Sequence, residues 1–103
     1  MTGFTLRMTQ PPSLRIDMRG VTPSADARTL KVGHGNALVP LAELFNITPR
    51  SDGQLVLEGD CSRCDRIGWQ MDGGTLIVEG PVGDYAGAVL RGGEMIVRGD
   101  ARD

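Results

Sequence analysis

Residues 71–80, Met71-Asp72-Gly73-Gly74-Thr75-Leu76-Ile77-Val78-Glu79-Gly80, return 19 residues later as Leu90-Arg91-Gly92-Gly93-Glu94-Met95-Ile96-Val97-Arg98-Gly99. The same offset places Asp65-Arg66-Ile67-Gly68 on Asp84-Tyr85-Ala86-Gly87, so the repeat spans a whole unit. An earlier copy, Gly53-Gln54-Leu55-Val56-Leu57-Glu58-Gly59, precedes Gly74–Gly80 by 21 residues, a surplus that fits an insertion near Cys61 and Ser62. Each copy reads as a turn, a four-residue apolar strand and a glycine. A short period without an intervening helical stretch predicts a β-solenoid whose equivalent strands stack in parallel. A second strand per coil is expected from Ile67–Met71 and Ala86–Leu90, with Ile67 over Ala86, Trp69 in the core over Ala88 and Met71 over Leu90.

Alternation assigns the faces. Leu55 and Leu57, Leu76 and Val78, and Met95 and Val97 point into the coil; Val56, Ile77 and Ile96 point out beside Glu58, Glu79 and Arg98. The outer apolar stripe needs cover from the chain's first half or from a partner. Glu79 beside Arg98 predicts a modest exposed ion pair, and Glu58 beside Glu79 a mild repulsion. The last copy ends one strand into its coil, which leaves an open parallel edge and predicts contact with another chain, most simply a second copy.

The first half reads differently. Phe4, Leu6 and Met8 alternate with polar neighbours, as do Leu14, Ile16 and Met18, and Pro11-Pro12 separates two strands read as a hairpin. Residues 21–28 read as a loop, followed by a strand near Leu30–Val32. Pro40–Asn46 carries helix signals and is expected to form one short helix, with Phe45 closing the open end of the first coil. The expected organisation is one compact domain, mainly β: an α+β cap over residues 1–52 and a parallel β-helix of about two and a half coils over 53–103.

Composition bounds the function. The 103 residues hold one domain; 40% hydrophobic and 23% charged residues exclude wholesale disorder. The net charge of -2 disfavours nucleic acid as a partner, since phosphate contacts call for a basic surplus. No apolar run is long enough for a membrane span and the N-terminus lacks a signal-peptide core, so a cytoplasmic location is expected.

Few residues suggest chemistry. Cys61-Ser62-Arg63-Cys64 has the spacing of a redox pair or half a zinc site, yet zinc needs four ligands and His34 is the sole histidine. Thiols in a turn or core are the favoured reading, and no metal is assigned. Gly33-His34-Gly35-Asn36 reads as a loop between two short strands, without the Lys-Ser/Thr of a phosphate cradle. Asp60, Asp65, Asp84 and Asp100 read as turn residues. Tyr85, at a corner, joins Val56, Ile77 and Ile96 as an interface candidate. No catalytic or cofactor-binding residue is assigned.

Asp65-Arg66-Ile67-Gly68, Gly80-Pro81-Val82-Gly83-Asp84-Tyr85-Ala86-Gly87-Ala88 and the Gly-Gly-x-(Leu/Met)-Ile-Val-x-Gly runs resemble the C subunit of formylmethanofuran dehydrogenase and, most closely, that of its bacterial counterpart, the formyltransferase/hydrolase complex. Leu6-Arg7 before Pro11-Pro12, Leu14-Arg15-Ile16-Asp17 and Leu41-Ala42-Glu43-Leu44-Phe45 extend the likeness over nearly the whole chain. The glycine pattern is more distantly similar to the C-terminal β-helical domain of glutamate synthase. The resemblance implies a right-handed parallel β-helix within a larger assembly of one-carbon metabolism. There a formyl group passes between a tetrahydromethanopterin-type pterin and a methanofuran-type carrier and is interconverted with formate. It also implies that other subunits, an amidohydrolase-like one and a formyltransferase, do the chemistry while the C subunit is structural. The expected partners are those subunits, or a second copy of the chain. The family's chains run to several more coils, and Cys61, Cys64 and Trp69 depart from its pattern.

Overall fold

The computed structural model describes residues 3–9, 15–23, 27–59, 61, 63–69, 71–81, 83 and 91–98. Nine strands lie among them: β1 (Gly3–Met8), β2 (Ile16–Asp17), β3 (Lys31–His34), β4 (Ala37–Pro40), β5 (Phe45–Arg50), β6 (Leu55–Glu58), β7 (Cys64–Asp65), β8 (Asp72–Glu79) and β9 (Gly92–Val97). Three-residue 3-10 turns occupy Ala27–Thr29 and Leu41–Glu43. The described chain is mainly β.

The repeat is visible as strand register. β6, β8 and β9 run parallel with Leu55 opposite Leu76 and Leu76 opposite Met95, the alignment read from the glycine runs. The ladder is also deeper than the repeat: β1 joins β6 in parallel, Phe4 opposite Leu55 and Leu6 opposite Leu57. Two inward rows result, Phe4-Leu55-Leu76-Met95 and Leu6-Leu57-Val78-Val97. Leu6, Leu57, Leu76 and Val78 are 0% exposed, each such burial stabilising by roughly 1.5–3 kcal/mol. Met95 and Val97, at the end of the rows, are only partly buried.

A second sheet, in the order β4-β3-β2-β7, repeats the logic, with β2 parallel to β7 and Ile16 opposite Cys64. Strands from both sides of residue 52 thus share each sheet. Neither sheet is wholly parallel, which corrects the simple stack expected above. β5 runs antiparallel along β1, and β3 antiparallel along β2, so the excursion through residues 27–50 lines that end of both sheets. The reason is local: β3 and β4 are joined by the two residues Gly35 and Asn36, a connection only antiparallel strands allow, with Gly35 at φ +63. This bears out the loop read at Gly33–Asn36.

Three further expectations are corrected. The helix at Pro40–Asn46 is the Leu41–Glu43 turn followed by β5, so the first half is not α+β. A seven-residue helix is marginal alone, whereas the edge of β1 offers Phe45 a place opposite Met8 and buries it to 1% exposure. Leu6 and Ile16 do not share a hairpin; β1 and β2 lie in different sheets. Residues 67–69 form a turn, not a strand, because Arg66 at φ +58 and Gly68 at φ +75 take left-handed conformations that a strand excludes. Ile67 and Met71 remain buried, but Trp69 is half-buried at the surface. Its expected neighbour Ala88, with Ala86 and Leu90, lies outside the described residues.

Candidate partner interface

The five-stranded sheet carries one continuous row on the face opposite its core: Thr48, Thr5, Val56, Ile77 and Ile96, each opposite the next. The stripe read from alternation is this row. Val56 is covered to 6% exposure, while Ile77 and Ile96 are half-buried, so its accessible apolar part narrows to the last two rungs. At the other end Arg50 donates from Nη1 to Thr5 Oγ1 at 3.0 Å, and from Nη2 to Asp52 at 2.6 Å. That bond and the Gln54 amide hold the Asp52 carboxyl down to about 2, below its ordinary 3.8. Tyr85 lies outside the described residues, as do Asp60, Asp84 and Asp100.

Cys61 and Cys64 share a tight turn, the Cys64 amide donating to the Cys61 carbonyl at 2.9 Å, while the Cys61 amide donates to the Pro81 carbonyl at 3.0 Å. Both side chains are 0% exposed and they are not joined in a disulfide. Among the described residues no three His, Cys, Asp or Glu side chains gather as metal ligands. His34 ends β3 opposite Ile16, and its Nε2 is buried without a hydrogen-bond partner there. Asp65, read as a turn residue, ends β7 and receives Arg15 through Nε at 2.7 Å and through Nη2. Nothing in this arrangement pairs a nucleophile with a base.

A different feature escaped the reading of the sequence. Arg19, Gly20, Thr22 and Trp69 line a recess of about 740 Å³. Asp17 fixes one wall, accepting from the Arg19 amide at 3.1 Å and from Arg19 Nε at 2.9 Å. The Arg66 guanidinium stands 5.6 Å over the Trp69 ring. The Asp17-x-Arg19 spacing was the signal available, because an Asp commonly caps the amide two residues on.

Comparison with known proteins follows the same lines. The C subunit of the formyltransferase/hydrolase complex of Methylorubrum extorquens is 33% identical over 86 residues, covering 77% of this chain and 32% of the relative. The C subunit of the tungsten-containing formylmethanofuran dehydrogenase 2 of Methanothermobacter thermautotrophicus is 29% identical over 84 residues, 77% of this chain and 31% of that one. The chain is a homologue of the C subunit of these complexes. The crystal structure of the Methylorubrum extorquens formyltransferase/hydrolase complex with methylofuran contains a chain that superimposes with a TM-score of 0.67 at 29% identity. The match covers 94% of the C-subunit homologue and 46% of that chain. No family profile matches. The homologue spans about a third of the length of the curated relatives it matches. No helix among its described residues is long and apolar enough to cross a membrane.

Proposed function

We propose that this chain is a non-catalytic structural subunit or accessory of a cytoplasmic complex of the formyltransferase/hydrolase or formylmethanofuran dehydrogenase type. Its stacked strands are one end of a right-handed parallel β-helix. It holds no cofactor or metal of its own; the assembled complex handles a formyl group carried between a tetrahydromethanopterin-type pterin and a methanofuran-type carrier. The observation that carries the reading is the match to a chain of the solved formyltransferase/hydrolase complex over 94% of this one. The described residues fit a scaffold, for they form ladders and ion pairs and bring no nucleophile to a base.

Affinity capture of the tagged chain from its own host, with mass spectrometry, tests this. Recovery of an amidohydrolase-like subunit with a formyltransferase is the expected result; recovery of the chain alone overturns it. One observation favours a second reading, a free-standing homo-oligomer. Met95 and Val97 stay partly exposed where the matching positions one rung inward, Leu76 and Val78, are at 0%. A second copy stacked on β9 would complete those rows. Light scattering of the purified chain separates the two, since a monodisperse monomer at high concentration excludes the second.

A further inference from the structure

We infer that the recess between residues 19–22 and Trp69 docks an acidic segment of a partner polypeptide. Its lining supplies one aromatic ring and one guanidinium, and no carboxylate among the described residues. Asp17 engages Arg19 through the backbone amide and Nε, which fixes the side chain at its root and leaves Nη1 and Nη2 directed away from that contact. The same carboxylate lies 3.8 Å from Arg66 Nη1, so one negative charge is shared between two guanidiniums and the corner keeps a positive surplus. The Arg19 side chain is 59% exposed, so a carboxylate reaches its fork without displacing a core group. Beside it the space above Gly20 is open: a Cβ added there would meet nothing within 4 Å.

The Trp69 ring is the apolar half of the site. It is held by the turn in which its amide donates to the Arg66 carbonyl at 3.1 Å. Arg66 is the one non-glycine residue at positive φ among those described, a conformation costing roughly 1–2 kcal/mol that glycine would adopt freely. An arginine kept in that strained place stands over the ring and adds positive potential to it. The recess is open rather than enclosing, unlike a small-molecule pocket, and Trp and Arg are the residue types that anchor protein interfaces. A chain segment presenting an acidic side chain to Arg19 and an apolar one to Trp69 satisfies both halves. This deepens the assembly reading by naming a contact surface, and it rests on that reading only for the existence of a partner.

Trp69 is the only tryptophan, so its fluorescence reports on the site directly. The full chain is titrated with a blocked peptide of aspartate and leucine, with the same peptide carrying asparagine for aspartate, and with sodium sulfate at matched ionic strength. The expected result is a saturable change with the acidic peptide alone, weakening with added salt. Arg19→Gln should weaken it about tenfold or more, the loss of one charge-assisted contact. Arg66→Gly should weaken it while leaving the thermal midpoint unchanged or higher, which separates binding from folding. No saturable change, an equal response to the asparagine peptide or to sulfate, or full retention in Arg19→Gln overturns the inference. The titration needs no complex, so its failure leaves the assembly reading to the capture experiment.

Discussion

Arg98 donates from Nη1 to Glu79 Oε1 at 2.8 Å, although the two are 19 residues apart in the chain. They are equivalent positions of successive repeats, set side by side because β8 and β9 pair in parallel. Glu79 has a less welcome neighbour on its other side, Glu58, directly opposite it in the β6–β8 ladder. Glu58→Lys replaces a like-charge pair by an attractive one and should raise the thermal midpoint slightly, by well under about 1 kcal/mol of stability. The gain should shrink in high salt; a salt-independent change would assign it to packing.

Gly93 marks where the rungs come closest. At φ +78, a Cβ there would lie 2.6 Å from the Gly74 carbonyl oxygen of the neighbouring rung, and backbone cannot step aside. Gly93→Ala should therefore cost about 2 kcal/mol or more. For a domain of this size that lowers the melting temperature by roughly 8 °C or more, measured by circular dichroism. The contrast is Gly73→Ala, where a Cβ meets nothing within 4 Å and a small effect is expected.

What the sequence reveals about this fold depends on what repeats. Leu55, Leu76 and Met95 follow glycine turns at a near-constant spacing, and their register was readable without coordinates. Phe4 and Leu6 occupy the same two rows but lie across a long excursion, with no glycine pair before them. Only the pairing of β1 with β6 exposes that equivalence. Pro40–Asn46 misled because local helix signals were outweighed by the open edge of β1, a tertiary effect. The outer stripe was legible from alternation, whereas the Trp69 recess was not. It depends on Arg66 taking a left-handed conformation that its residue type disfavours.

Acid should loosen the corner at Arg50. The Asp52 carboxyl is held down to about 2 by the Arg50 hydrogen bond and the Gln54 amide, from 3.8. A depressed folded-state value means that the contribution is complete above the unfolded value, and is lost as pH falls from about 3.8 toward 2. Asp52→Asn should melt below the parent at pH 6, and the gap should close across that acid window. The site is exposed, so the gap is small; one that stays constant down to pH 2 would assign the role of Asp52 to turn geometry alone.

The two thiols are a test of accessibility. Cys61 and Cys64 are both 0% exposed, and thiolate chemistry needs contact with solvent. A thiol-reactive reagent should label neither in the native chain and both in denaturant, read by mass spectrometry. Cys64→Ser should lower stability by about 1–3 kcal/mol, since it places a hydroxyl in the buried row beside Ile16. Rapid native labelling of either thiol would instead revive the redox reading of this pair.

The partner stripe yields the most direct mutational test of the proposed role. Ile77 and Ile96 are half-buried neighbours on the outer face, while Val56, at 6% exposure, belongs to the packed interior and is left alone. Ile77→Asp combined with Ile96→Asp puts two carboxylates side by side where a partner would need apolar contact, so capture of the other subunits should be abolished. Ile77→Thr with Ile96→Thr keeps strand propensity, adds no charge, and should weaken capture less. Melting curves confirm that both variants fold, because a half-exposed position loses only part of a buried isoleucine's contribution. If the folded double-aspartate chain still recovers its partners at the parent's yield, the stripe is not the contact and the search moves to the Trp69 recess.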